Sequence, residues 1–521
     1  MDIIGDRTLR SLWEEKLSIC PNKTWIAFED AHGQQTTKSY QEFYDGVVKL
    51  SNALLDLNIQ KGDHVTLHLP NNIEFLTTWF ALAHIGAIMV PTNVLSSAEE
   101  MKYIINHSES VLLITENEYV DKFENIISEL PTIQHTILTR FEGESAPHLN
   151  FNHLLEKAST DTSRFPQVSA ADVVGMLYTS GTTSKPKGVQ ITNANYLFTG
   201  ELMSKSIQVT DVDRMFIVLP MFHGNAQYYS TMSALIAGGS IALTEKFSAS
   251  RYFKQAKSLG GTVGSLFAAP IRMILAKEFD EADRDNPIRL VLFAQSVAEH
   301  QVKEFEEKFS LKLLHLYGMT ETVGIPLINP VNGVRKNSSI GRPSIGYEVK
   351  LIDENGEEVP RGAVGQIAVK GVPGRTLMKQ YFKNEEATRE TLRDGWLLTG
   401  DNARIGEDGY FYFVDRVKDM IKRSGENVAA QEVESVLSEH GSVYECAVIG
   451  VPDDMRDEAI KAYVILNADM TVTEEELIEF CRVRLAKFKV PDSIEFVADF
   501  PRTPVGKIQK HILRNSIMIG K

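Results

Sequence analysis

Cysteine is scarce in this chain. There are three in 521 residues, Cys20, Cys446 and Cys481, odd in number and far apart. Such a set excludes a disulfide framework, has no zinc-site spacing, and suits a reducing compartment. Positive charge is also short, with 54 Lys and Arg against 69 Asp and Glu and a net charge of −15. A protein that works mainly on nucleic acid wants a basic face, so this balance argues against that class of partner. Long apolar runs are missing as well. The greasiest, Met232–Leu243, is glycine-broken and falls short of the roughly 20 residues that span a bilayer as a helix. No apolar stretch follows the opening Met1-Asp-Ile-Ile-Gly-Asp-Arg7, so no secretory signal and no membrane span are expected, and the protein reads as cytoplasmic. Repeats, low-complexity tracts and long linkers are absent too. What remains is ordinary soluble composition, 43% hydrophobic and 24% charged, in a chain long enough for more than one domain.

Hydrophobic periodicity predicts an α/β architecture. Helical patterns over 40–57, 73–85 and 98–107 alternate with strand patterns at 25–28, 61–70, 87–91 and 111–115, as in βαβ units of a largely parallel sheet. A second α/β series is expected from Val173, with strands at 215–219, 240–244, 290–293 and 313–317. Beyond Ser338 the strands are short and joined by Asn355-Gly356 and Asp408-Gly409 turns, which predicts a small antiparallel or barrel-like subdomain. A compact α+β unit follows, with helices at 433–440 and 474–485 and strands at 446–451 and 462–466. The domain boundary is placed between Val417 and Lys418, giving units of 1–417 and 418–521.

The stretch most rich in chemistry is Tyr178-Thr-Ser-Gly-Thr-Thr-Ser-Lys-Pro-Lys-Gly188. Glycines let backbone approach a ligand, hydroxyls and free N–H groups suit phosphate oxygens, and lysines supply counter-charge. It reads as a polyphosphate-holding loop, and it does not fit the G-x-x-x-x-G-K-[ST] pattern. Tyr317-Gly-Met-Thr-Glu321 follows at the end of an expected strand, where open α/β sheets bind ligands. Further along come Thr399-Gly-Asp401, Asp415-Arg416, the basic stretch Arg416–Val428, and Pro501-Arg-Thr-Pro-Val-Gly-Lys507.

Taken together, in this order and spacing, these segments resemble the adenylate-forming superfamily of acyl-CoA synthetases, luciferases and peptide-synthetase adenylation domains, over essentially the whole chain. The resemblance implies a large N-terminal domain of two α/β lobes plus a small β subdomain, and a small mobile C-terminal domain. It implies ATP, Mg²⁺ and coenzyme A as partners, and a reaction in two halves: a carboxylate and ATP give an acyl-adenylate and pyrophosphate, then coenzyme A gives a thioester and AMP. In it Thr179, Ser180, Gly181, Thr182, Thr183 and Lys187 hold phosphates. Tyr317, Gly318, Met319 and Thr320 contact the nucleotide, Glu321 holds Mg²⁺, and Asp401 with Arg416 grips the ribose. Lys507 bridges carboxylate and α-phosphate in the first half-reaction. Lys418 is the hinge, and Lys422, Ser424, Gly425 and Glu426 line the coenzyme A tunnel, Lys422 also approaching the adenylate. Phe293-Ala-Gln-Ser296 stands where the family often has a glycine-rich run against the adenine, and Gln295 and Ser296 are carried over to that role.

By the same resemblance Pro220–Tyr229 lines the acyl pocket, with Phe222, His223, Asn225 and Tyr228 facing the acid. No aspartate follows Phe222, which disfavours an amino-acid substrate. His223 reads either as a gate or as a structural histidine. A quaternary ammonium head would want the aromatic faces of Phe222, Tyr228 and Tyr229, while a short- or medium-chain fatty acid would use the same wall for packing. Two other classes stay open: acyl transfer to a carrier protein or to an oxidation, and a nucleotide-binding regulator without catalysis. Thr183, Glu321 and Lys507 argue against the regulator. A homodimer is the family-level expectation.

Overall fold

The computed structural model describes residues 3–142, 147–179, 185–416, 419–423, 426–453, 457–502 and 508–519, without the side chains of 426, 427 and 515–519. Local sequence explains the helices well. Ser39 and Glu42 form a reciprocal capping box at the start of Tyr40–Asp56, and Ser97 with Glu100 does the same for Ala98–Ser108. Asn72 caps Ile73–Ile85, which stops at Gly86 in the left-handed region with φ 72°.

These helices lie with two predominantly parallel sheets. The first runs Leu149–Asn150, His135–Thr139, Leu112–Glu116, His64–His68, Ile88–Pro91, Val173–Thr179 and Lys187–Thr192. Only its last pair is antiparallel. The second centres on Lys312–Tyr317, Leu290–Ala294, Val263–Phe267, Arg214–Ile217 and Ser240–Thr244, all parallel. One apolar cluster joins the two, from Val65 and Leu67 through Trp13, Phe43, Trp79 and Phe80 to Met215 and Ile217. Trp13 meets Trp25 edge-on at 5.3 Å, and Trp79 stacks on Phe80 at 4.7 Å.

Two assignments differ from the sequence reading. Val173–Thr179 does not open the second series but closes the first sheet, pairing in parallel with Ile88–Pro91. Conversely Thr24–Glu29 leaves the first series and pairs with Ser240–Thr244 in the second. Parallel pairing joins strands far apart in sequence, and local pattern cannot select the partner. Lys187–Thr192, read as the tail of a loop, is a strand.

The third sheet is antiparallel, as expected, and holds Glu348–Ile352, Val364–Lys370, Trp396–Ile405 and Phe411–Arg416. The fourth contains Met420–Arg423, Glu426–Ala429, Val443–Asp453, Asp457–Leu466 and Ser493–Phe496. Helices Ala430–Leu437, Glu474–Arg482 and Lys510–Ile519 accompany it, the first starting three residues before the sequence reading placed it.

One close approach supports the strand that carries Tyr317. Leu327–Ile328 pairs with Lys312–Tyr317 on one side and with Arg342–Pro343 on the other. Gly341 makes that second pairing possible: its φ is 97°, and a Cβ there would sit 2.0 Å from the Ile328 carbonyl carbon. Gly341→Ala is therefore expected to destabilise the fold by about 3 kcal/mol or more. Chemical denaturation checks this, and an unchanged midpoint would refute the close approach.

Candidate active site

Strand geometry brings the two richest motifs together at sheet ends. Thr179 pairs with Lys187 where two antiparallel strands meet. Ser180, Gly181, Thr182 and Thr183 lie outside the described residues. Tyr317 ends its strand, and Gly318, Met319, Thr320 and Glu321 turn away from it.

A strap of chain ties these two places to one another. Met378 N–H donates to the Glu321 carbonyl (2.9 Å), Lys379 N–H to Gln190 O (2.9 Å), and Phe382 N–H to Gly188 O (2.8 Å). From this strap Tyr381 donates its hydroxyl to Glu321 Oε1 at 2.8 Å, and Lys187 Nζ lies 4.8 Å from the centre of its ring. Glu321 is 5% exposed. Burial pushes its carboxyl up, opposed by the Tyr381 hydroxyl and then by the charges of Lys187 and Arg416. Glu321, Lys187 and Arg416 thus share one electrostatic neighbourhood. Tyr381 was not anticipated, because it belongs to no segment whose letters alone suggest a ligand.

The ribose candidates are joined on the other side. Asp401 and Arg416 are register partners in neighbouring strands, with Arg416 Nε 3.3 Å from Asp401 Oδ1. Tyr317 donates to Asp401 Oδ2 at 2.6 Å, inside the protein. Burial raises the Tyr317 phenol well above its ordinary range, and the Asp401 charge adds to that, so Tyr317 is a donor throughout the working pH range.

Strained backbone marks the same neighbourhood. Val323 has φ 64°, a conformation a β-branched side chain rarely adopts, at a cost of about 1–3 kcal/mol. The Thr322 hydroxyl bonds both Met319 and Gly324, and Tyr347 OH bonds the Thr322 carbonyl, which together hold the turn. Gln295 is also in the left-handed region, at φ 72°, with its Nε2 buried and without a protein partner. Beside it, Arg272 donates to Ser296 O (3.2 Å) and pairs with Glu445 (2.9 Å), and Glu445 pairs with Arg502 (2.5 Å). That chain of contacts sets the beginning of the Pro501–Lys507 segment beside Ser296. Lys507 itself lies outside the described residues, as do Lys418, Ser424 and Gly425.

The proposed pocket wall contains a π-helix, Asn225–Thr231, which the sequence did not disclose. Its wider winding shows in the Thr231 hydroxyl, which donates to the Ala226 carbonyl five residues back (2.8 Å). Asn71 anchors its approach, bonding Leu219 O, Thr244 O and Met221 N. Gln227 continues the network, donating to Met221 O and accepting from Tyr196. Two polar atoms of the wall, Asn225 Oδ1 and Tyr228 OH, are buried without a protein partner. Phe222 and His223 rings lie 5.4 Å apart, and His223 meets Phe267 edge-on at 6.1 Å. Tyr229 connects this wall to the nucleotide side, since a Cβ on Gly318 would sit 2.5 Å from its hydroxyl.

Not every expected residue joins the cluster. Lys422 stands on the Met420–Arg423 strand, where its N–H donates to Glu458 Oε2. Glu426 pairs with Arg423 in the adjoining strand. Among the described contacts, Lys422 is not hydrogen-bonded to Glu321 or Asp401.

Comparison with known proteins fits this arrangement. The AMP-binding enzyme model matches residues 13–382, and the AMP-binding enzyme C-terminal domain model matches residues 432–507. The chain is 38% identical over 520 residues to the crotonobetaine/carnitine–CoA ligase of Salmonella agona, covering 99% of this chain and 100% of that one. It is 38% identical over 519 residues to the enzyme of the same name from Citrobacter koseri, with the same coverage of 99% and 100%. Among solved structures, the anthranilate CoA ligase AuaEII in complex with anthranoyl-AMP superposes with a TM-score of 0.91 at 27% identity, covering 99% of this chain and 98% of that one. ATP-bound MatB from Rhodopseudomonas palustris gives 0.88 at 27% identity, covering 98% and 99%.

The Tyr317–Asp401 bond generates a prediction. Tyr317→Phe leaves Asp401 without its buried donor and is expected to weaken ATP binding about 5- to 30-fold, the equivalent of about 1–2 kcal/mol, with the fold retained. Equilibrium ATP titration checks it, and unchanged affinity would show that Asp401 needs no such support.

Proposed function

The chain belongs to the AMP-binding enzyme family, and from that premise we propose that it is an AMP-forming acid–CoA ligase acting on crotonobetaine or carnitine. The observation that carries the reaction class is the convergence of Lys187, Glu321 and Arg416 on one buried carboxylate site, next to the Tyr317–Asp401 pair. A carboxylate resists nucleophiles because it is charged and has oxide as its leaving group. Transfer onto AMP provides a good leaving group, which a thiol then displaces. No side chain needs to act as a covalent nucleophile, and the protein contributes position and charge.

In this reading Asp401 and Arg416 hold the ribose, while Thr179, Ser180, Gly181, Thr182, Thr183 and Lys187 take the phosphates. Among the described residues no group of three or more His, Cys, Asp or Glu side chains is placed to hold a metal. Mg²⁺ does not require one, since it is often bound through one or two carboxylates together with substrate phosphates. Glu321, buried and carrying an acceptor-only carboxylate beside the phosphate loop, fits that description. When bound, Mg²⁺ would offset phosphate charge. Lys507 would steady the negative charge that builds up between carboxylate and α-phosphate. Residues 418–521 would then turn about Lys418 to bring Lys422, Ser424, Gly425 and Glu426 to coenzyme A.

For the acid, the full-length match to carnitine-metabolising ligases is supported by the pocket wall. Phe222, Tyr228 and Tyr229 offer aromatic faces for a quaternary ammonium. The unpartnered Asn225 Oδ1 and Tyr228 OH are polar atoms that a fatty chain would leave unsatisfied, at a cost of about 1–3 kcal/mol each. Free cysteines at 20, 446 and 481 suit a cytoplasmic enzyme of small molecules, and among the described residues no helix is long and apolar enough to cross a membrane.

ATP–pyrophosphate exchange over carnitine, crotonobetaine, γ-butyrobetaine and C4–C12 fatty acids tests the substrate, with exchange expected on the betaines. Exchange confined to the fatty acids would overturn it. Lys507→Ala is expected to lower adenylation at least about 100-fold, yet to convert supplied acyl-AMP to thioester near the normal rate. Equal losses in both half-reactions would refute the division of labour between them.

A further inference from the structure

Tyr381 sits where the strap between the phosphate-loop hairpin and Glu321 is held most tightly. Its backbone bridges to Val189, its N–H donates to Thr388 Oγ1 (3.0 Å), and its neighbour Gln380 accepts from Gln190 N–H (3.0 Å). The side chain is 5% exposed and spans two groups at once, with its hydroxyl on Glu321 Oε1 and the face of its ring to Lys187. A carboxylate rotates easily about its last bond and can meet a cation through one oxygen or both. A donor fixed on one oxygen removes that choice.

We propose that Tyr381 is a positioning residue that fixes Glu321 Oε1, so that Oε2 is the oxygen presented to the divalent cation accompanying ATP, while its ring holds Lys187 against the same polyphosphate. The inference rests on the reading of Glu321 as the metal-holding carboxylate. Mg²⁺ demands near-ideal octahedral geometry, and such a site is sensitive to the angle of its single protein oxygen. Outer partners of metal-binding groups typically contribute 10- to 100-fold in metal affinity. The ring and the hydroxyl have separate duties, and this makes them separable by mutation. Phenylalanine keeps the surface that Lys187 faces and loses the bond to Glu321, whereas leucine loses both.

The test is equilibrium ATP binding to the full-length protein without acid or coenzyme A, measured by calorimetry in excess Mg²⁺ and again in EDTA. The ratio of the two dissociation constants is the metal-dependent gain. Tyr381→Phe is expected to cut that gain about 10-fold while leaving ATP binding in EDTA within about 2-fold, because Lys187 retains its ring. Tyr381→Leu is expected to weaken binding in EDTA as well. A Tyr381→Phe protein with the full gain would overturn the proposal. Glu321→Gln separates the two layers. If Glu321→Gln keeps the gain, the metal reading of Glu321 fails and takes the inference with it. If Glu321→Gln loses the gain while Tyr381→Phe keeps it, only the positioning role fails. The double variant guards against a general folding effect: it should lose no more than Glu321→Gln alone, and additive losses would refute coupling through the carboxylate.

Discussion

A carboxylate taken out of water is the constraint on which this site depends. Glu321 is expensive to bury ionised, and besides its own backbone N–H three groups from elsewhere in the chain offset that cost: the Tyr381 hydroxyl directly, and Lys187 and Arg416 through space. Each of the three comes from a different element. Lys187 starts the second leg of the phosphate-loop hairpin, Tyr381 lies on the strap that crosses it, and Arg416 ends a strand of the third sheet. Solvating one charge therefore fixes the mutual placement of three parts of the fold. The Tyr317–Asp401–Arg416 set extends the arrangement, since Arg416 belongs to both groups.

The scaffold meets this constraint mainly with backbone hydrogen bonds. Met378 bonds to Glu321 while Lys379, Gln380 and Phe382 bond to the Lys187–Thr192 strand, which makes the strap an added edge rather than a loose connection. Strain is concentrated close by. Val323 and Gln295 hold left-handed backbone conformations that the surrounding turn and sheet over-determine. Placement of the Glu321 carboxylate thus rests on hydrogen-bonded backbone, with Val323 and Gln295 among the left-handed residues near it.

Much of this was legible in the sequence, and the exceptions share a cause. Ser39, Ser97 and Asn72 announce their helices because capping is a local event. The candidate motifs are readable because each concentrates chemistry in a few adjacent residues, and the structure places Arg416 near both Asp401 and Glu321. Val173–Thr179 was put with the wrong series because its partner, Ile88–Pro91, is remote and parallel. Tyr381 escaped notice because its importance comes from a contact across 60 positions, and nothing in Gln380-Tyr-Phe382 speaks of a carboxylate. The strain at Val323 was equally invisible, since valine is the last residue from which a left-handed turn would be inferred.

The π-helix of the acyl wall has a consequence for how substrate choice can change over time. Such a winding accommodates one residue more per turn than its neighbours need, and the rest of Met232–Ala237 continues as an ordinary helix. Removing a single residue between Asn225 and Thr231 would let the segment relax to regular winding while Met232–Ala237 kept its facing, so that only the side chains within the bulge would be re-aimed. The Asn71–Met221–Gln227 network would hold the entrance in place meanwhile. Under the proposed function, a one-codon deletion would then re-aim Asn225 and Tyr228 together while the helix behind them stayed in place.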